Sequence, residues 1–303
     1  MRDGIPADMG ALFHDYPPSS AYRSFPDGML FTGDSIAWMH GISDASVDLV
    51  FADPPYNIGK ADWDRIGSED DYVAWSSQWI SEAARILKPA GSMYICGFSE
   101  TLADLKRPAM KHFASCRWLV WHYRNKANLG SDWGRSHESI LHLRKSGFPG
   151  INVDDIRIPY AAHTMKYPDH AQGATSRYGH GRDGERWEPN PLGAKPRDVL
   201  EIPTTCNGMG EKTPHPTQKP EELLRTLVLA SSREHDLVLD PFSGSGTTAV
   251  VASQLHRRWM ACDESSEYNS WAARRLEAVD HGMSVEDWKT FDRENRKRRL
   301  RRA

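Results

Sequence analysis

The chain has no stretch of about 18 consecutive apolar residues, the length a helix needs to cross a bilayer, so its 303 residues offer no transmembrane helix. Its opening, Met1 to Ser20, is mixed and proline-bearing and lacks the apolar core of a signal peptide. Cysteine is scarce. Four are present, Cys96, Cys116, Cys206 and Cys262, with no CxxC pair and no metal-ligand spacing, which excludes a disulfide framework and a structural zinc site. Three of the four fall in apolar, strand-like runs, where a free cysteine is most often simply buried. No internal repeat is visible. These absences, with 39% hydrophobic and 26% charged residues, describe a globular, cytoplasmic protein without a bound metal.

Net charge is also small, at −3, but it is unevenly spread. Arg293 to Ala303 carries seven Lys/Arg and one Glu, a net +6, which leaves −9 on the other 292 residues. A basic tail on an acidic body suits either a phosphate-binding arm or a solvated helix end.

What is present is organised around Val47–Asp64, VDLVFADPPYNIGKADWD. A short apolar strand, Val47 to Ala52, stops at Asp53-Pro54-Pro55-Tyr56. Two prolines in succession cannot donate to a sheet ladder, and each pushes its predecessor out of the helical region. The backbone there is stiff and extended, with carbonyls free to accept. A carboxylate, a carbonyl and an aromatic ring are thus held at a strand's C-terminal end, where open α/β sheets bind ligands. The set suits a planar group bearing an amine, such as a nucleobase. Asp53 and the Pro54 carbonyl can accept the two amine protons while Tyr56 stacks on the ring, its face mattering more than its hydroxyl. An ordinary strand-ending turn would use the same dipeptide.

Along the chain, residues 1–28 read as an irregular arm. A strand from Met29 ends at Gly33-Asp34-Ser35, and a short helix with Trp38 and Met39 follows. Asp70 to Lys88 has helical spacing, with an aromatic stripe that reads as core, and Lys88-Pro89-Ala90-Gly91 stops it. Ser92–Cys96, Arg117–Tyr123 and Glu138–Leu143 read as strands, with a helix from Glu100 to His112. This alternation predicts a doubly wound, mostly parallel sheet. From Ser146 to Pro214 the pattern breaks into a Gly-, Pro-, His- and Arg-rich stretch with isolated aromatics, suited to nucleic-acid contact or to a surface excursion. Regularity resumes with a helix over Glu221–Ser231, the strand Leu237–Asp240, a glycine turn, an Ala/Val-rich helix and the strand Trp259–Cys262.

The glycine turn, Gly244-x-Gly246-x-x-Ala249, with Asp263 about 20 residues on, formally matches a dinucleotide-binding fingerprint. An adenosine-type pocket follows from it, with an NAD oxidoreductase as one reading.

Taken together, Asp53-Pro-Pro-Tyr56 and Asp240-Pro-Phe242-Ser-Gly244-Ser-Gly246 resemble the motifs of the S-adenosylmethionine-dependent DNA amino-methyltransferases. The order, catalytic motif before cofactor motif, resembles the beta group, and the wording DPPYNI and HPTQKP is similar to that of RsrI-type adenine methyltransferases. The resemblance covers most of the chain. It implies a class I, Rossmann-like α/β fold with a doubly wound, mostly parallel seven-stranded sheet, one strand antiparallel, and an irregular target-recognition insertion at 146–214. The catalytic half would then span 29–145, the cofactor half 215–280, and a C-terminal helix with the basic tail 281–303. Asp53, Pro54, Pro55 and Tyr56 would form the catalytic turn. Asp34, Ser35, Thr217, Lys219, Asp240, Phe242, Gly244, Gly246 and Asp263 would bind S-adenosylmethionine, with Asp263 on the ribose. The partner implied is double-stranded DNA carrying a short specific sequence, and the resemblance leaves room for a homodimer and a cognate restriction endonuclease.

The chemistry agrees with the residues. An adenine N6 or cytosine N4 lone pair is delocalised into the ring. Accepting both amine protons pulls the nitrogen towards tetrahedral geometry and frees that pair for attack on a methyl group. A C5-cytosine enzyme needs a cysteine nucleophile after proline, and none of the four cysteines follows one. The target base must be flipped out of the duplex. Asp rather than Ser at position 53 favours adenine over cytosine N4. Methylation of a protein glutamine uses a similar Pro-Pro-Tyr turn, but with the cofactor glycines before it.

Overall fold

The computed structural model describes residues 9–14, 21–60, 62–125, 131, 133–166, 170–171, 186–207 and 209–280. The expected C-terminal helix with the basic tail, 281–303, and half of the N-terminal arm lie outside them. The chain forms two compact units, one of Met1–Gly150 with Asp198–Ala303, the other of Ile151–Arg197.

In chain order the first unit contains β1 (Ala21–Phe25), β2 (Gly28–Thr32), α1 (Ser35–His40), β3 (Val47–Ala52), α2 (Glu69–Ile86), β4 (Leu87–Gly97), α3 (Ser99–Ala109), β5 (Ser115–His122) and β6 (His137–Arg144). The second unit holds α4 (Ala162–Lys166) and the two-residue strands β7 (His170–Ala171) and β8 (Arg186–Trp187). The first then resumes with β9 (Val199–Glu201), α5 (Glu221–Ser231), β10 (Leu237–Asp240), α6 (Thr247–Gln254), β11 (Arg258–Asp263) and α7 (Ser266–Asp280).

Nine strands form the main sheet, in the order β1-β2-β11-β10-β3-β4-β6-β5-β9. The inner seven, β2 to β5, are parallel except for β6, which runs against β4 and β5. The expected seven strands are therefore two too few, and the sheet is mixed. The additions are edges: β1 pairs antiparallel with β2, and β9 pairs parallel with β5. Both carry mostly exposed or half-buried side chains, so neither shows the apolar run that marks an inner strand. They fall in stretches whose sequence reads as irregular arm and insertion.

The central strands β3 and β10 are largely apolar because both of their faces are covered. Along β3, Val50 and Ala52 pack into one core with Trp38, Trp79 and Ile80 from α1 and α2. Leu49 and Phe51 pack into the other with Leu223, Leu227 and Val250 from α5 and α6. Helix α2 begins in a capping box, Ser68 Oγ accepting from Asp71 N at 3.2 Å and Asp71 Oδ2 accepting from Ser68 N at 3.0 Å. It ends at Ile86 and passes directly into β4, so Lys88-Pro89-Ala90-Gly91 is part of a long strand and not a helix stop. A register shift against β3 between Val47 and Leu49 accommodates it.

Within the second unit, Ile158 and Ala194 form a backbone bridge, and Tyr160 Oη accepts from Asn190 N at 2.8 Å. None of the four cysteines is disulfide-bonded. Among the described residues no helix is long and apolar enough to cross a membrane, and no acidic, His and Cys cluster is arranged to hold a metal.

The topology fixes where a ligand goes. From β3 the sheet proceeds outward through β4, and from its neighbour β10 it proceeds the other way through β11. The carboxyl ends of β3 and β10 thus flank the point where strand order reverses.

Candidate active site

A cavity of about 640 Å³ opens at that point. It is lined by Asp53 to Tyr56 after β3, Asp240 to Ser245 after β10, Asp263 to Ser265 after β11, Asp34 to Ile36 at the start of α1, and His215 to Lys219 before α5. Of the thirteen residues singled out in sequence, all line it except Gly246, which sits one turn deeper as the N-cap of α6.

The catalytic turn is held from both sides. Tyr72 of α2 donates its hydroxyl to Pro55 O at 2.7 Å. Beyond Tyr56, the buried Asp64 carboxylate accepts from the backbone N–H of Asn57, Ile58 and Lys60 at 2.7, 3.3 and 3.0 Å. Asn57 takes a left-handed φ of 58°, which asparagine tolerates, and its side chain ties the loop to Ile66 N at 2.8 Å and Gly67 O at 3.0 Å. Tyr56 therefore enters the cavity in a fixed direction, edge-on to Phe98 at a centroid distance of 5.0 Å.

Three polar side chains converge on Asp53. Its Oδ2 accepts from Lys219 Nζ at 2.6 Å, and its Oδ1 from the Tyr56 hydroxyl at 2.8 Å. The same hydroxyl is 2.9 Å from Glu138 Oε2 on β6, and Lys219 Nζ is 3.6 Å from that oxygen. Burial pushes the Asp53 carboxyl above the usual range; Lys219 works against this and Glu138 with it. Burial alone would discharge Lys219, but the Asp53 and Glu138 carboxylates outweigh it and hold the ammonium firmly protonated. Burial, then Asp53 and Glu138, drive the Tyr56 phenol well above its ordinary value, so it stays a donor.

The glycine turn forms the other wall. Gly244 and Gly246 have φ of 50° and 74°, a region L side chains rarely adopt. A Cβ on Gly244 would also lie 2.9 Å from the His215 ring. Asp240 closes the turn from below, accepting from Phe242 N at 3.0 Å and Thr248 Oγ1 at 2.5 Å, and burial pushes its carboxyl up to about 7. Asp263 accepts from Gly244 N at 2.8 Å and Ser265 N at 2.9 Å, with burial raising it to about 6. Asp34 caps α1 through Ala37 N at 2.8 Å, and Ser35 donates its hydroxyl to Pro241 O. His215 is pushed down to about 3 by burial and by the cations Lys219, Lys212 and Arg275, and its neutral ring lies against Tyr268 at 4.5 Å.

Glu138 is absent from the sequence reading of the site. Its one signal is an acidic residue at the head of the apolar strand HESILHL, and nothing local reveals that β6 runs antiparallel beside β4 and points it at Asp53. Trp75 of the aromatic stripe is likewise only partly buried and lines the cavity beside Phe242, ring centroids 5.8 Å apart.

The family model described as DNA methylase, for N6- and N4-amino methylation, matches residues 47–274, from the first residue of β3 into α7. The chain belongs to that family. Among curated relatives it is 34% identical over 236 residues to the Type II methyltransferase M1.MboII of Moraxella bovis, covering 75% of this chain and 88% of that one. It is also 34% identical over 260 residues to the DNA adenine methyltransferase YhdJ of Escherichia coli, covering 84% of each. Among solved structures, the cytosine-N4-specific PvuII DNA methyltransferase superposes with a TM-score of 0.62 at 18% identity, covering 88% of this chain and 91% of that one. That likeness establishes the class I methyltransferase fold.

The DNA methylase uses S-adenosylmethionine as cofactor, and the cavity fits it. Carboxylates at Asp34, Asp53, Glu138, Asp240, Asp263 and Glu264 outnumber the lysines at 60, 212 and 219, which suits a cationic sulfonium. The side-chain-free approach at Gly244 and the Asp263 carboxylate beside it suit a ribose. Asp34, Ser35, Thr217 and Lys219 add polar groups to the same cavity, and Phe242 adds an apolar wall.

Proposed function

We propose that this DNA methylase transfers a methyl group to the exocyclic N6 amine of adenine at a short specific sequence in duplex DNA. The observation that carries the reading is Asp53: a carboxylate only 16% exposed at the tip of β3, beside the Pro54 carbonyl, in the same cavity as the glycine turn. The name of YhdJ, an adenine methyltransferase, supports adenine, and the Type II name of M1.MboII extends the proposal to a cognate restriction endonuclease. A DNA substrate puts the work in the cytoplasm.

S-adenosylmethionine supplies the electrophilic methyl group when bound. The chain's own residues prepare the nucleophile. Asp53 and Pro54 O accept the two protons of the amine, weakening its conjugation with the ring and localising the lone pair. The Asp53 interaction strengthens as positive charge builds on nitrogen, so it favours the transition state over the ground state. Asp53, raised by burial, then takes the proton the nitrogen releases. Tyr56 and Phe98 give aromatic surface for a flipped base. No covalent adduct with the base is formed. The segment 146–214, which includes the second unit, is proposed to read the target sequence.

Digestion of methylated duplex DNA to nucleosides, followed by mass spectrometry, tests the reading. N6-methyladenine is the expected product. N4-methylcytosine would replace adenine by cytosine as the target, and labelling of protein in place of DNA would overturn the proposal.

A further inference from the structure

Both oxygens of Asp53 are engaged, Oδ2 by Lys219 and Oδ1 by Tyr56. An ammonium 2.6 Å from Oδ2 occupies the position, and neutralises the charge, that an incoming amine would use. Glu138 offers that ammonium a second anion 3.6 Å away, and the Tyr56 hydroxyl already bridges the two carboxylates. Lys219 and Glu138 stand on different elements, the loop before α5 and strand β6, so a small lysine rotamer change exchanges one partner for the other without moving the backbone.

We propose that Glu138 is a positioning residue for methyl transfer: it draws the Lys219 ammonium off Asp53 Oδ2 when the target amine arrives, and so keeps Asp53 an effective acceptor. Resting on the adenine methylation reading above, it adds a residue that touches neither base nor methyl group. Lys219 Nζ donates to the same Oδ2 that an incoming amine proton would use. There it satisfies a largely buried carboxylate that would otherwise have one acceptor unused.

The charged and titratable groups facing Asp53 are Lys219, Glu138 and Tyr56, with Cys96 at the end of β4, Asp240 on β10 and Tyr72 on α2 acting through space. Removing the Glu138 charge leaves Lys219 committed to Asp53. The Asp53 carboxylate becomes less basic and the acid limb of the kcat profile moves to lower pH.

The test is a double-mutant cycle on the full chain, with wild type methylating duplex DNA as reference. Glu138→Gln should lower kcat on the order of 100-fold, as loss of one preorganised electrostatic contact does elsewhere. KM for DNA and cofactor affinity should hold within about threefold, with the acid limb shifted down. Glu138→Asp should recover part of the loss. In a Lys219→Met background, Glu138→Gln should cost less than tenfold, because the cation it manages is gone. An unchanged kcat for Glu138→Gln, or an equal cost with and without Lys219, would overturn the proposal. A wild type inactive on DNA would instead overturn the functional reading.

Discussion

Arg275 and Glu221 form a buried ion pair at 2.5 Å, joining α7 to the first turn of α5. The guanidinium's other arm bonds Ser245 O at 2.9 Å and Thr247 Oγ1 at 3.0 Å. One cation therefore locks three elements around the glycine turn. Removing one member of such a pair strands the other charge without water. Arg275→Leu should cost about 3–5 kcal/mol of unfolding free energy, measured by urea denaturation. The double variant Arg275→Leu/Glu221→Leu should recover much of that loss, but not all, since the Ser245 carbonyl and Thr247 hydroxyl remain without their donor.

Gly246 makes a second, independent demand on the same turn. Its φ of 74° is left-handed, and a Cβ there would lie 2.5 Å from Ala272 Cβ. Backbone strain and overlap with an immobile neighbour each cost about 1–3 kcal/mol. Gly246→Ala should therefore lower the melting temperature and also weaken S-adenosylmethionine binding. Gly10, where a Cβ meets nothing within 4 Å, should tolerate the same change with neither effect.

Tyr56 separates ring from hydroxyl. The sequence ranks its stacking face above its hydroxyl, and the structure sets that hydroxyl's one proton between two carboxylates, Asp53 and Glu138. Tyr56→Phe leaves Asp53 and Glu138 facing each other without the bridging donor. Turnover should fall on the order of tenfold, the worth of one charge-assisted hydrogen bond. Tyr56→Ala should be far more damaging, as it removes the stacking surface too. Steady-state kinetics on one DNA substrate would rank the two.

These residues show what local sequence carries. The inner strands β3, β10 and β11 are legible because both of their faces are buried, which writes itself as a continuous apolar run. The catalytic turn is legible because Pro54-Pro55 constrains the backbone whatever surrounds it. Glu138 is not legible, because its role exists only once β6 pairs with β4, and the distance from Asp53 along the chain hides the contact. Lys219 reads as part of a cofactor motif, while its ammonium lies on the carboxylate proposed to do the chemistry. The edge strands β1 and β9 escape notice for the opposite reason: their solvent-facing side chains carry no period.

Asp263 connects the cofactor wall to pH. Burial raises it to about 6, against two backbone donors that favour the charged form. Ribose hydroxyls need the carboxylate as acceptor. Affinity for S-adenosylmethionine should thus fall as pH drops through that value, approaching tenfold per unit. Asp240, raised to about 7, faces the turn from below and adds a gentler slope at higher pH. Calorimetry from pH 5 to 8 should show the lower limb in the wild type, and Asp263→Asn should flatten it while weakening binding by about 1–3 kcal/mol.

Asp53 is the most exacting position, because two substitutions there make different demands. Asp53→Ala removes the acceptor for one amine proton and leaves the buried Lys219 with Glu138, 3.6 Å away, and the Tyr56 ring, 5.2 Å from its ammonium. Glu138 keeps the stability loss below the about 3–5 kcal/mol of a bare buried charge. Turnover should nearly vanish, while S-adenosylmethionine still binds, since the glycine turn and Asp263 are untouched. Asp53→Asn keeps the shape and one acceptor oxygen but has no charge to strengthen as the nitrogen becomes positive. It also cannot take the released proton. Measurable but reduced activity is therefore expected for Asn, with the loss in kcat and DNA affinity unchanged. Single-turnover methylation with each variant saturated in cofactor isolates that step, and near wild-type methylation by Asp53→Ala would place the catalytic centre elsewhere in the cavity.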